Sequence, residues 1–93
     1  MKNKNIIRIR RKLDVLDDKM LRIIKSRSLL VDKVLKNKIY KKDIIDKQRI
    51  NLILKRIRLR SKKMKIDESI TLRIWKSMIR GFILYEYKNF KKK

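Results

Sequence analysis

The chain has 93 residues, enough for one small domain. It contains neither Cys nor His, which excludes disulfides, thiolate metal sites, Cys nucleophiles and His general bases. Apolar residues make up 43% and charged residues another 43%, with a net charge of +22, a balance too apolar for a disordered tail and suited to amphipathic helices.

Pro is absent and Gly81 is the sole glycine. Hairpins and Gly-rich phosphate loops need more turn residues than that, so an all-α fold is expected. The N-terminal stretch MKNKNIIRIRRKLDVLD has no continuous apolar region of the kind a secretory leader carries. No run of about eighteen apolar residues exists to span a membrane. A single cytoplasmic domain over residues 1–93, with no membrane partner, is the expectation.

The first helical pattern runs from about residue 5 to about residue 38. Ile6, Ile9, Leu13, Leu16, Met20, Ile23, Ile24, Leu30, Val31 and Val34 recur at threes and fours, with one gap. Such a helix is roughly 50 Å long, longer than a globule of this size is wide. The rest of the chain cannot cover its apolar face, so a homodimer is expected.

A short polar connection, Ile39–Asp43, leads to a second helix with Ile50, Ile53, Leu54 and Ile57 at helical spacing. This helix is expected to fade in the basic stretch RLRSKKMK, residues 58–65. The third begins near Asp67, an N-cap candidate, with Glu68 in the favourable first turn. Its apolar residues are Ile70, Ile74, Trp75, Met78, Ile79, Phe82, Ile83 and Phe90.

Each helix sets charge on or beside its apolar stripe. Arg27 and Lys38 are eleven residues apart, about 20° from three full turns, so both lie on the stripe of the first helix. Arg49 sits four before Ile53 on the second, and Glu86 follows Phe82 and Ile83 on the third. For any one of them, an internal ion pair or a side chain reaching out to water is explanation enough. Together they are three cations and one acid, and the surplus positive charge suggests an anionic ligand held by Arg forks. Arg10 points about 100° away from Arg27 and cannot serve the same pocket from the same helix.

The stretch IRRKLDVLDDKMLRIIKSRSLLVDKVLKNK, residues 9–38, resembles the opening helix of the all-helical chorismate mutases. The matching positions are Ile9-Arg10, Leu13, Leu16-Asp17, Arg27 and Lys38. Asp46 and Arg49 fit the second-helix signature, and IWKSMIRGFILYE, residues 74–86, fits the final motif. The resemblance implies three helices per chain intertwined into a homodimer with two sites. It implies that Arg27 and Arg49, with Arg10 from the other chain, hold the two carboxylates of the dianionic substrate chorismate. Lys38 would reach the ether oxygen, Asp46 the ring hydroxyl, and Glu86 would give the ether oxygen a second hydrogen bond, for which it must be protonated. The reaction implied, chorismate to prephenate in aromatic amino acid biosynthesis, is pericyclic and needs no cofactor or metal.

Two positions depart from the pattern. The residue after Arg49, usually Glu, is Ile50, and the position four before Glu86, often Ser, is Phe82. Both changes also resemble isochorismate pyruvate lyase, a sister enzyme on the same fold, which stands as the alternative activity. A third reading is a basic helical protein that binds nucleic acid and catalyses nothing. It explains the charge, but not the inward-facing Arg27, Lys38, Arg49 and Glu86, and stacking aromatics are few. The charge is also spread along the chain, and abundant Lys and Ile with Ala absent is what a coding bias toward A and T produces. Nucleic acid is therefore not the expected partner.

Overall fold

The structure is a computed structural model, and it describes residues 3–91. Three α-helices follow one another, α1 (Lys4–Asn37), α2 (Lys47–Lys63) and α3 (Glu68–Asn89), with a 3₁₀ turn at Lys41–Ile44. There is no strand among the described residues, so the all-helical expectation holds. The chain resolves into two compact units that divide after Val31, inside α1.

The first unit is the N-terminal part of α1. Asn3 starts the helix: its Oδ1 accepts from the backbone N–H of Asn5 at 2.9 Å and of Ile6 at 3.3 Å. The gap in the apolar pattern falls at Ser26 and Ser28. Their hydroxyls donate to the carbonyls of Arg22 and Ile24 at 3.2 and 3.0 Å, so the helix passes through with its polar groups satisfied. No residue from Lys4 to Val31 is buried, and Leu13 and Leu16 are each 52% exposed.

The second unit carries the core. Leu35, Ile44, Ile53 and Ile57 are buried, with α2 packed on α3 and the 3₁₀ turn also against α3. Ser61 is 3% exposed; its hydroxyl donates to the Ile57 carbonyl at 2.7 Å and lies 2.7 Å from the Thr71 hydroxyl. That contact ties α2 to α3 without leaving a polar atom stranded.

α2 does not fade through 58–65 as its composition suggested; it holds to Lys63. Its basic last turn suits the negative end of the helix dipole. Termination comes at Lys65, in the left-handed region at φ 58°. There the N–H of Ile66 donates to the Ser61 carbonyl at 2.9 Å and that of Lys65 to the Lys62 carbonyl at 3.2 Å, a Schellman motif with lysine where glycine is usual. Asp67 caps α3 as expected. Its Oδ1 accepts from the Ser69 amide and hydroxyl, and these two bonds hold the carboxyl below its ordinary value. On α3, Gly81 has open space where a Cβ would stand, with nothing beyond its own stretch of helix backbone within 4 Å.

Candidate active site

The residues singled out from the sequence fall in both units. Arg10, exposed, and Arg27, half-buried, belong to the first. Lys38, Asp46, Arg49 and Glu86 belong to the second.

Lys38 stands one residue beyond α1, where its N–H donates to the Leu35 carbonyl at 3.1 Å. This close turns the side chain into the second unit. Lys38 Nζ donates to Glu86 Oε1 at 2.9 Å and makes a longer contact, 3.4 Å, to the Ile44 carbonyl. Glu86 is the only acid among the buried residues described, 6% exposed, and the Lys38 side chain is 18% exposed. Two residues forty-eight apart in sequence thus form the internal ion pair that was the simpler explanation for each. Desolvating two charges is costly, and their attraction at hydrogen-bond distance offsets much of that cost.

Asp46 is the N-cap of α2, its Oδ1 accepting from the Arg49 N–H at 3.0 Å. The cap brings Asp46 and Arg49 together through the backbone, while both residues stay exposed to solvent. An open cleft of about 390 Å³ between α2 and α3 is lined by Ile45, Ile50, Leu54, Ile79, Ile83, Leu84 and Tyr87, with Lys76 and Arg80. None of the six singled-out residues lines it, but Ile50 does, in apolar company.

Some contributors gave no sequence signal. The Ile44 carbonyl beside Lys38 is a backbone group that no motif marks. Tyr85 donates to Asp32 Oδ1 at 2.6 Å, next along α3 to Glu86 and fifty-three residues from its acceptor. The Asp32 carboxylate holds the Tyr85 phenol above its ordinary value, because losing the proton would forfeit the bond and set two negative charges together. No group of three or more metal-ligating side chains occurs among the described residues.

Three helices, a buried ammonium–carboxylate pair and a large excess of Lys and Arg over Asp and Glu define an all-helical, strongly cationic protein. Residues 9–87 match the family model for chorismate mutase type II, and the chain belongs to that family. No curated relative and no solved structure gives a significant match to the chain. Among the described residues no helix is long and apolar enough to cross a membrane.

Proposed function

We propose that the protein is a chorismate mutase, a cofactor-independent isomerase that turns chorismate into prephenate as a cytoplasmic homodimer serving aromatic amino acid biosynthesis. The observation that carries this reading beyond family membership is the buried Lys38–Glu86 pair, 2.9 Å apart.

The rearrangement breaks one carbon–oxygen bond while a carbon–carbon bond forms in the same molecule. No nucleophile is consumed. The protein must hold the substrate in its compact reactive conformer. It must also stabilise the negative charge that grows on the ether oxygen. Lys38 supplies a fixed ammonium for that oxygen. Glu86 supplies a second donor, provided it carries a proton, because an ionised carboxylate accepts only and would repel the developing charge. Without substrate the two groups satisfy each other, which keeps the ammonium inside the second unit. With substrate, the ether oxygen takes the place between them. A preorganised donor of this kind is worth roughly 10²–10³ in rate.

The other roles rest on the family pattern. Arg27, Arg49 and Arg10 of a second copy take the two carboxylates, and Asp46 the ring hydroxyl. The exposed apolar stripe of α1, including Leu13 and Leu16, supports the second copy.

The lyase alternative keeps one specific observation in its favour: Ile50 lies among apolar residues in the α2–α3 cleft. Incubating purified protein with chorismate and, separately, isochorismate decides between them by product chromatography. Prephenate from chorismate is the expected result. Salicylate and pyruvate from isochorismate, without prephenate, would make the protein the lyase, and no turnover of either would overturn both.

A further inference from the structure

From Lys47 to Lys65 there is no Asp or Glu, although Lys and Arg recur throughout. A coding bias explains abundant lysine, but folding adds a second asymmetry. The acids that flank or face this segment are all engaged. Asp46 caps α2 and Asp67 caps α3. Glu68 lies 4.0 Å from Arg58 and 3.8 Å from Lys62. Glu86 is buried against Lys38.

The exposed surface of α2 is therefore rich in cations that no acid of the segment neutralises. Ile53, Ile57 and Ser61 are buried on the inner face. Arg56, Arg60 and Lys63, spaced four and three apart, form a row along one exposed edge of the helix beside that buried face, and Lys55 lies on the side away from it. All four are exposed, and among the described residues none of them forms an ion pair. The row is about 10 Å long at the helical rise, the length of about three nucleotides along one strand.

An acidic lipid surface would want a broad apolar face to embed. Beside the row, the exposed side of α2 offers only Leu52 and Leu59, ringed by cations. A phosphate backbone needs no apolar face, only a row of cations that can displace counterions. We propose that the cationic edge of α2 formed by Arg56, Arg60 and Lys63 is a docking surface for the phosphate backbone of nucleic acid, blind to base sequence. The surface is independent of the reaction proposed above and uses none of its residues.

The test compares two variants of equal charge. One replaces the α2 row (Arg56→Gln, Arg60→Gln, Lys63→Gln). The other removes three exposed cations from the polar face of α1 (Arg8→Gln, Lys19→Gln, Arg22→Gln). Binding of a short mixed-sequence DNA duplex is titrated by fluorescence anisotropy over a range of salt, with circular dichroism to verify helicity. The α2 variant should bind more weakly at every salt concentration, and its slope of log K against log salt should shrink by about one for each residue removed. The α1 variant should keep the wild-type slope. Equal losses in both variants would mean that net charge alone attracts the DNA, and the proposal fails. Unchanged binding by the α2 variant would overturn it too. So would wild-type protein that ignores the duplex yet binds phosphatidylserine vesicles through the same three residues, since the face would then serve a membrane.

Discussion

In the first unit of the chain, apolar residues recur along α1 and not one residue from Lys4 to Val31 is buried. In the second, apolar residues close over Leu35, Ile44, Ile53 and Ile57, with a charged pair in their midst. The contrast separates two requirements that a helix must meet. Backbone hydrogen bonds form wherever the sequence lets them, and α1 satisfies its own along 34 residues. Burial depends on a second surface, and most helix stability in proteins comes from such packing. The first unit has a stripe awaiting a surface. The second has its surface and gives part of it to Lys38 and Glu86, which a core selected for stability alone would replace with hydrocarbon.

Turning the α1 stripe polar tests that contrast most severely. Leu13→Asp with Leu16→Asp should convert a dimer to monomers and abolish turnover. Light scattering with an activity assay reads both. A wild-type chain that is monomeric and active at micromolar concentration would show that the first unit needs no cover.

Removing charges comes next, one from each unit. Lys38→Ala and Arg27→Ala should each lower turnover by at least about a hundredfold. Lys38→Ala also strands the buried Glu86 carboxylate, costing about 3–5 kcal/mol in denaturant unfolding. Near-normal turnover with lost stability would reduce the pair to a structural tie.

Glu86→Gln sharpens the assignment further. Glutamine keeps a hydrogen-bond donor at that position, so the variant should retain turnover, whereas Glu86→Ala should lose at least about a hundredfold. Equal turnover in the glutamine and alanine variants would remove Glu86 as the donor to the ether oxygen.

The smallest effect concerns the end of α2. Lys65→Gly should raise stability by about 1 kcal/mol, since glycine meets the left-handed conformation at no steric cost, partly offset by its greater freedom when unfolded. Thermal unfolding would show it as a rise of a few degrees. A fall would mean that the lysine side chain has a partner in the assembled protein.

The helices were legible because periodicity and caps are local. Asp67 announces α3, and the apolar pattern, read as a helix from about residue 5 to about residue 38, matches α1 at Lys4–Asn37. The end of α2 was not legible, because the stop signal usually read is glycine and this chain uses Lys65. Charges in the wrong place were visible for Lys38 and Glu86, and the structure joins them. Their pairing was not, because no spacing rule links positions forty-eight apart. Asp46 could be read as standing at the start of α2; that its carboxylate is engaged by the Arg49 amide is a property of three-dimensional capping.

Gly81 sits in the interior of α3 with no neighbour near the place of a missing Cβ. Within one chain this is a net loss, roughly 1 kcal/mol against alanine, because glycine gives up more backbone freedom on folding. The loss turns to advantage only when another backbone approaches closely enough that a methyl group would intrude. Residue 81 is therefore a proximity gauge built into α3: alanine there should raise the melting temperature of a protein whose third helix faces water, and lower it in one whose third helix lies tight against a neighbour.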